Sequence, residues 1–305
     1  MSGYILRRLA LAVLTVLGIS LVTFGILHLT GDPARLILGE LASEQALDAF
    51  RRENGLKDPL AIQYARFIGR AVRGDFGISL RYRVPVLQLF LERVPATLEL
   101  GGAAFLIAVV FGIPIGVLSA LRQNSRLDYL VRLLVLLGQA VPGFYLGILL
   151  IMLFGVQLHW FPTGGRGTLN HLVLPAFALS LGLMALLIRF TRSSVLDVLR
   201  QDYIRTARAK GLREPVVIAG HALRNALIPV STILGLQVAS LLSGAVVTET
   251  VFSWPGIGRF TVQAITARDF PIIQTTVLIL SSIIVLANLI VDLLYASLDP
   301  RIKIS

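Results

Sequence analysis

The chain has 305 residues, of which 55% are hydrophobic and only 15% are charged. A soluble domain carries roughly a quarter charged residues, so this composition excludes an ordinary soluble protein and indicates a membrane protein. The net charge of +11 would suggest a nucleic-acid partner in a soluble protein, but here the basic residues flank apolar segments, which favours membrane topology and anionic lipid.

Six apolar segments are long enough to cross a membrane, which takes about 20 mostly apolar residues. They are residues 9–29, 100–121, 133–156, 172–188, 226–248 and 272–296. The first follows Arg7 and Arg8 and is too long for a signal-peptide core, so we predict an uncleaved signal anchor. The fourth begins near Pro175, and Pro114 and Pro142 are placed to kink the second and third. The sequence therefore predicts an all-α integral membrane protein.

Two glycine pairs in these segments have the small-xxx-small spacing that permits close packing of helices. They are Gly112 with Gly116 and Gly143 with Gly147. Such pairs are frequent in membrane helices, so they say little about function.

The side of the membrane on which each loop lies follows from the positive-inside rule. With a cytoplasmic N-terminus, the inside segments hold 15 Arg or Lys residues and the short outside loops hold only 3. The other 10 lie in the first loop, and loops of that length translocate largely regardless of charge. We therefore predict that both termini, and the segment between the fourth and fifth spans, are cytoplasmic.

The first loop, residues 30–99, has the periodicity of short amphipathic helices. Leu47 and Phe50 share one face of a first helix, and Leu60, Tyr64 and Phe67 share one face of a second. We predict a helical extracytoplasmic insertion that lies against the outer membrane surface.

The segment DYIRTARAKGLREPVVIAGHALRNALIPV, residues 202–230, carries five basic residues between apolar stretches. A helix is predicted to run off the fourth span as far as Gly211, and a second short helix is predicted to follow with Pro215 in its first turn. Two short helices joined at a glycine form a protrusion rather than a plain connector. A protrusion implies a partner into which it docks.

At this segment the sequence resembles a known family. YIRTARAKGL at 203–212 and HALRNALIP at 221–229 resemble the cytoplasmic "EAA" loop of binding-protein-dependent ABC importer permeases. Where that loop usually has Glu-Ala-Ala, three residues and Gly, this chain has Arg205, Thr206 and Ala207, three residues and Gly211, in the form found in the peptide and nickel subfamily. Nine further strings agree in chain order: TGDPA at 30–34, DPLAIQY at 58–64, RGDFGISL at 73–80, RVPATLEL at 93–100, PGFYLGILLI at 142–151, HWFPTGG at 159–165, TETVFSWPGIGR at 248–259, ITARDFP at 265–271 and LLYASLDPRI at 293–302. The set spans nearly the whole chain and most resembles the first, or B-type, permease subunit of dipeptide and oligopeptide importers.

The resemblance implies the type I ABC importer permease fold, with residues 1–305 forming one transmembrane permease domain in a prokaryotic cytoplasmic (inner) membrane. It implies a non-catalytic subunit that forms half of a peptide translocation pathway, with nickel and glutathione import as alternatives. The implied partners are a second, homologous permease in a heterodimer, two cytoplasmic ATPase subunits or domains, an extracytoplasmic substrate-binding protein and membrane lipid, with no nucleic acid. ATP and Mg²⁺ would be bound by the ATPases, so no cofactor is expected in this chain.

Residues 189–225 would then form the coupling loop, whose second helix sits in a groove of an ATPase. The residues singled out in it are Asp202, Arg205, Ala207, Gly211, Glu214 and Pro215. Gly211 would be the hinge, or else a plain helix C-cap with positive φ. Asp202, Arg205 and Glu214 would contact the ATPase, or else belong to a solvated face.

Polar groups inside spans are costly, so each invites a functional interpretation. Asn288 and Asp292 share a face of the sixth span, where they would gate the pathway or make a structural pair. Gln139 and Gln237 lie in mid-span, where they would line the route or bind a neighbouring helix. Glu249 lies near the outer end of the fifth span, where it would act at the outer mouth. The resemblance favours a re-entrant loop over the pathway mouth for SWPGIG at 253–258, with Trp254; an interfacial tryptophan anchor is the alternative.

No catalytic machinery is recognisable in the sequence. The four histidines, His28, His159, His171 and His221, have no metal-ligand spacing, and neither HExxH nor a P-loop G-x-x-x-x-G-K-[ST] is present. The chain is therefore not itself the ATPase, and we predict neither an enzyme nor a metal site. A self-sufficient secondary transporter would be expected to have inverted repeats or several buried charges, and a lipid-acting enzyme would have clustered catalytic residues; the sequence indicates neither.

Overall fold

A computed structural model describes residues 2–29, 31, 33–39, 42–53 and 55–298, and this part of the chain is helical without strands. It divides into two compact units, residues 1–95 with 259–305 and residues 96–258. In chain order the helices are α1 (Ser2–Leu29), α2 (Pro33–Leu38), α3 (Glu44–Glu53), α4 (Leu60–Ala71), α5 (Val86–Leu91), α6 (Val94–Leu121), α7 (Arg126–Ala140), α8 (Gly143–Leu150), α9 (Leu169–Leu199), α10 (Asp202–Ala209), α11 (Glu214–Val216), α12 (Arg224–Val251), α13 (Ile257–Thr266) and α14 (Phe270–Leu298). A π-helical segment, Ile151–Gln157, extends α8, and a second, Val217–Leu223, joins α11 to α12.

The predicted spans are confirmed in number and largely in position. Among the described residues five helices are long and apolar enough to cross a membrane, and a bent helix pair brings the number to six. Five of the predicted spans lie within α1, α6, α9, α12 and α14. The chain is therefore a multi-pass membrane protein.

The third span is not the continuous helix that residues 133–156 predict. It begins earlier, at Arg126, and it is broken after Ala140. The helical segment Gly143–Gln157 is bent by 104° relative to α7. Pro142 has no N–H to continue the helix, and Val141 before it takes an extended conformation with ψ 123°. Pro114, by contrast, lies inside an unbroken α6.

The fourth span begins earlier than predicted, because Pro175 lies inside α9 rather than at its start. Thr168 and His171 form the N-terminal cap, in which the Thr168 N–H donates to His171 Nδ1 at 3.2 Å. A capping box satisfies backbone donors that the first turn leaves unpaired, and this fixes the start of α9 at Leu169.

In the unit of residues 1–95 and 259–305, α1 packs along α14, and the predicted amphipathic helices appear as α3 and α4. Tyr64 of α4 lies against α1, where its hydroxyl donates to the Leu17 carbonyl at 3.0 Å and hydrogen-bonds Ser20 Oγ at 2.7 Å. Asp269, before α14, accepts hydrogen bonds from Ser79 Oγ at 2.6 Å and from the Arg81 N–H at 3.0 Å. The insertion is thus tied to two spans of its own unit.

In the unit of residues 96–258, α9 is the central helix and packs against α7, α8 and α12. Gly112 and Gly116 permit α6 to approach α9 closely. A Cβ at Gly116 would lie 2.8 Å from Thr191 Cβ, and one at Gly112 would lie 3.1 Å from Leu187 Cβ. Gly147 meets Phe252 in the same way, whereas nothing lies near Gly143. Three of the four predicted packing glycines therefore lie at close contacts.

Candidate functional site

The predicted coupling loop is folded on itself. α9 ends at Leu199, the chain turns at Arg200 and Gln201, and α10 begins at Asp202. The single helix predicted to run from the fourth span to Gly211 is therefore wrong, because the chain leaves the helical conformation at Gln201, where ψ is 148°. This turn directs α10 back onto the end of α9.

The fold of the loop has a small apolar core. Its buried side chains come from α10 and from the π-helical segment before α12: Ile204, Ala207, Val217 and Ala222. Val198 and Leu199, at the end of α9, pack against them. Ala207, one of the predicted coupling residues, belongs to this core and is only 7% exposed, so its role in the loop is packing.

Gly211 ends α10 with φ +77°, a conformation that L-residues with a side chain adopt at a cost. The Lys210 N–H donates to the Thr206 carbonyl at 3.0 Å and the Gly211 N–H to the Arg208 carbonyl at 3.0 Å. This is helix C-cap geometry, one of the two interpretations of Gly211. Movement of the loop about this residue stays a prediction.

An ion pair spans this glycine. Arg208 donates to Glu214 through Nη2 at 2.6 Å and through Nε at 3.1 Å, and the pairing raises the pKa of Arg208. Arg205 Nη1 lies 3.5 Å from Asp202 Oδ1 on the outer face of α10. The side chains of Asp202 and Arg205 are 95% and 77% exposed. Glu214 thus has a partner inside the loop, whereas Asp202 and Arg205 point outward.

The second short helix is not a separate element. It begins at Glu214 with Pro215 in its first turn, as predicted, but continues through the π-helical segment into α12 without a break. Asn225 Nδ2 donates to Tyr203 Oη at 2.9 Å and so connects α12 to α10. The loop is therefore attached directly to the fifth span.

The six predicted pathway or gate residues are distributed over α7, α12, the turn after α12 and α14. Gln139 is exposed at the end of α7, Gln237 is half-buried in α12, and Asn288 is exposed on α14. Asp292 lies in α14, but its side chain is outside the described residues, as is the end of the LLYASLDPRI string from residue 299. A pathway role for these residues stays a prediction.

Glu249 and Trp254 are fully buried and belong to one hydrogen-bonded node. Thr97 Oγ1 donates to Glu249 Oε1 at 2.7 Å and accepts from the Ile257 N–H at 2.8 Å, and Trp254 Nε1 donates to the Ala96 carbonyl at 2.7 Å. A tryptophan with no exposed surface cannot anchor the chain at the lipid interface, so the interfacial-anchor alternative is wrong. The node ties the SWPGIG turn to the first turn of α6; its re-entrant character stays a prediction.

A second buried cluster was not found by sequence reasoning. Asp128, at the start of α7, has no exposed surface and accepts two hydrogen bonds from Arg192 of α9, at 2.7 and 2.9 Å. Ser119 Oγ, at the end of α6, donates to the same carboxylate at 2.6 Å, and the Asn124 N–H donates at 3.0 Å. The available signal was a lone acidic residue among Arg122, Arg126 and Arg132 at the end of a span. By itself that pattern indicates only membrane topology.

A cavity of about 540 Å³ lies in the unit of residues 1–95 and 259–305. Buried rings of Phe24, Phe67 and Phe270 line it, and Arg70 and Arg83 are among its charged residues. Among the described residues no group of three His, Asp or Glu side chains is arranged to hold a metal ion.

Comparison with known proteins gives matches over the whole length. Residues 112–304 match the model of the family described as "Binding-protein-dependent transport system inner membrane component", and residues 1–101 match the model of the N-terminal part of such membrane components. The oligopeptide transport system permease protein AppB of Bacillus subtilis is 44% identical, over 99% of this chain and 100% of that protein. In Escherichia coli the dipeptide permease protein DppB is 42% identical and the glutathione permease protein GsiC is 43% identical, each over 99% of both chains.

Two solved structures have a similar fold. The MetNI methionine ABC transporter superposes with a TM-score of 0.57 over 70% of this chain and 97% of that chain, at 20% identity. An amino acid ABC transporter with histidines superposes with a TM-score of 0.56 over 69% of this chain and 94% of that chain, at 17% identity. These likenesses show the ABC importer permease fold.

Proposed function

Because this chain belongs to the family of binding-protein-dependent transport system inner membrane components, we propose that it is the permease subunit of an ATP-driven importer of dipeptides or oligopeptides. The observation that carries the substrate class is the pair of full-length relatives named for oligopeptide and dipeptide transport, at 44% and 42% identity. The chain is a non-catalytic membrane component, and separate partner subunits hydrolyse the ATP. The match to this family favours the ATP-driven system over a self-sufficient secondary transporter.

The coupling loop, residues 189–225, is proposed to be the surface that an ATPase subunit engages. Its exposed side chains include the charged Asp202 and Arg205 and the apolar Leu212 and Val216, which are 40% and 50% exposed. Apolar side chains exposed beside charges at the tip of a folded protrusion are typical of a docking surface. Its own apolar core keeps this surface in one shape before docking.

The loop and both termini are proposed to be cytoplasmic, as the distribution of basic residues indicates. The insertion at 30–99 then lies on the outer side, where a substrate-binding protein would release its substrate to the permease. A second, homologous permease is proposed to complete the pathway as a heterodimer. Closure of the ATPases would move the loop and the helices connected to it as rigid bodies.

Glutathione import is the second candidate, since one full-length relative is named for glutathione at 43% identity. Glutathione is a tripeptide with one unusual linkage, so it is chemically close to the main substrate class. Nickel import stays an alternative from the sequence resemblance.

The test is to express the chain with its neighbouring genes, reconstitute the complex in proteoliposomes and measure ATP-dependent uptake. Labelled dipeptide, a longer peptide, glutathione and Ni²⁺ would be supplied with the binding protein in parallel. We expect uptake of dipeptide or oligopeptide that stops without ATP. Uptake of glutathione or Ni²⁺ alone would reassign the substrate, and uptake driven by an ion gradient without ATP would overturn the proposal.

The docking surface is tested by cross-linking. The chain has no cysteine, so Glu214→Cys supplies a unique attachment point. We expect a cross-link from residue 214 to a P-loop ATPase, with a matched cysteine at the exposed Leu130 of α7 giving none. Equal cross-linking from both positions would remove the loop from the interface.

A further inference from the structure

A few buried polar atoms in the described part of the chain are unpaired, on α7 and on α9. Three buried side-chain polar atoms there have no hydrogen-bond partner: Arg132 Nε, Arg132 Nη2 and Thr191 Oγ1. The two Arg132 atoms belong to a guanidinium that lies beside Asp128, with Nη2 3.6 Å from Asp128 Oδ2, whereas Thr191 faces Gly116 of α6. A buried donor without a partner is costly, and its presence in a native fold calls for an explanation.

Arg132 is placed to compete with Arg192 for the same carboxylate. It lies one turn from Asp128 on α7, and its Nη2 is 3.6 Å from Asp128 Oδ2, too far for a hydrogen bond. The Arg132 guanidinium instead lies over the Tyr129 ring, 4.4 Å from its centre. A movement of about 0.8 Å would bring it to the distance of a charge-assisted hydrogen bond.

Arg192 lies in the part of the coupling loop that is still α9, and the folded part of the loop begins after Leu199. Arg192 is two turns before the end of α9, from which the loop continues. Ser194 Oγ donates to the Ala226 carbonyl at 2.7 Å, which ties the same part of α9 to α12. Ala120, Val195 and Ala226 pack there in one apolar cluster. A displacement of the loop therefore acts on α9 next to Arg192.

We propose that Asp128 is a positioning residue that exchanges partners, from Arg192 of α9 to Arg132 of its own helix, when the loop is displaced. In the structure Asp128 binds Arg192 and holds α7 to α9. When α9 moves away, Arg132 takes the carboxylate, its donors become satisfied, and α7 is released. The carboxylate keeps a cationic partner in both states, so two arrangements of the junction are stable and intermediate ones are not.

The exchange rests on the proposed function and deepens it. It describes how movement of the loop, driven by the ATPases, would reach α7 in the broken third span. It is also independent of that function in one respect: the two arrangements would exist in the isolated chain. The two arginines act in opposite directions, whereas a merely structural cluster would respond to both losses in the same direction. The test is therefore whether the two substitutions shift the balance between the two arrangements in opposite directions.

The experiment measures the distance between spin labels on Leu130→Cys of α7 and Ser193→Cys of α9, both exposed positions in a chain without native cysteine. Pulsed electron paramagnetic resonance would be recorded on the chain in nanodiscs, alone and in the complex with and without ATP. We expect a short distance for the Arg192-paired state and a longer one for the Arg132-paired state. Arg132→Gln should lower the fraction of the long distance by about fivefold or more, and Arg192→Gln should raise it by about as much.

Arg122→Gln is the matched control, since Arg122 is exposed in the turn between α6 and α7 and makes no ion pair in the described part of the chain. It should leave the distribution unchanged. Shifts of the same sign for Arg132→Gln and Arg192→Gln, or no difference between Arg132→Gln and the control, would overturn the proposal. If Arg192→Gln fails to fold, Arg192→Lys keeps the charge and should give a smaller shift toward the long distance.

Failure of the proposed function has a different signature. ATP would then leave the distance distribution of the unsubstituted complex unchanged, while the opposite shifts of the two variants in the isolated chain would still report the exchange.

Discussion

The coupling loop and the junction of α7 with α9 are each held by an arginine–carboxylate pair, and the two pairs lie in different surroundings. Arg208 and Glu214 are 43% and 51% exposed at the surface of the loop. Asp128 has no exposed surface and Arg192 is 19% exposed, with Ser119 and Asn124 satisfying the remaining oxygen lone pairs. Water screens the first pair and is excluded from the second, so only the second carries a large penalty when one partner is lost.

The difference separates two tasks that the basic residues of this chain perform. Charges on the loop are exposed, so a subunit that docked there, as proposed, would rearrange them at little cost. The Asp128–Arg192 pair at the junction is largely buried, so we expect it to act mainly on the helices of this chain. We therefore expect substitutions in the loop to change coupling with little loss of stability, and substitutions at the junction to change both.

The largest effect on stability is expected for Asp128→Asn, which leaves Arg192 next to a neutral amide. Breaking a buried pair from one side costs about 3 to 5 kcal/mol. The measurement is the free energy of unfolding from titration with SDS in mixed micelles. Glu214→Gln is the matched change in the exposed pair and should unfold within error of the unsubstituted chain. Equal losses for the two variants would contradict the contrast between the two surroundings.

A smaller loss is expected for Gly116→Ala, where α6 passes α9 at the junction. The new Cβ would lie 2.8 Å from Thr191 Cβ and 2.9 Å from the Ile188 carbonyl oxygen, so the helices must separate. Overpacking of this kind costs about 1 to 3 kcal/mol. Gly220→Ala, in the helical segment before α12, is the control, because nothing lies within 4 Å of its Cβ and alanine favours the helix. The same titration would contradict the close contact if both variants were equally stable.

The smallest loss of stability is expected for Gly211→Ala, at the end of α10. The space around Gly211 is open, so the cost is only that of a left-handed conformation with a side chain, about 1 kcal/mol. Gly211→Asn should cost less, because asparagine tolerates positive φ.

Gly211 also separates stability from coupling. Proline cannot adopt φ +77°, so Gly211→Pro must remodel the end of α10 while the spans stay inserted. We expect ATP hydrolysis to continue in the reconstituted complex with transport reduced, whereas Gly211→Asn should transport normally. Normal transport by Gly211→Pro would show that the conformation at this residue does not matter for coupling.

Much of the candidate site was accessible from local sequence. The end of α10 at Gly211, Pro215 in the first turn of the following helix and the amphipathic helices α3 and α4 all follow from residue types at short spacing. The turn at Arg200 and Gln201 was not accessible, because neither residue breaks a helix. It is stabilised by the packing of Ile204 and Ala207 onto Val217 and Ala222, which are distant in sequence.

The sequence by itself determined that this chain crosses a membrane several times, where its spans lie and which family it resembles, because apolar runs, basic flanks and ordered motifs are properties of short segments. Only the tertiary structure decided which proline breaks a span. Pro114 and Pro142 each follow a β-branched residue, yet α6 stays helical where Gly112 and Gly116 pack against α9, whereas the chain bends between Ala140 and Gly143. Likewise, Asp128 is one of several charges at the end of a span until the fold buries it against Arg192, 64 residues away. Burial and partnership are relations between segments, and no single segment contains them.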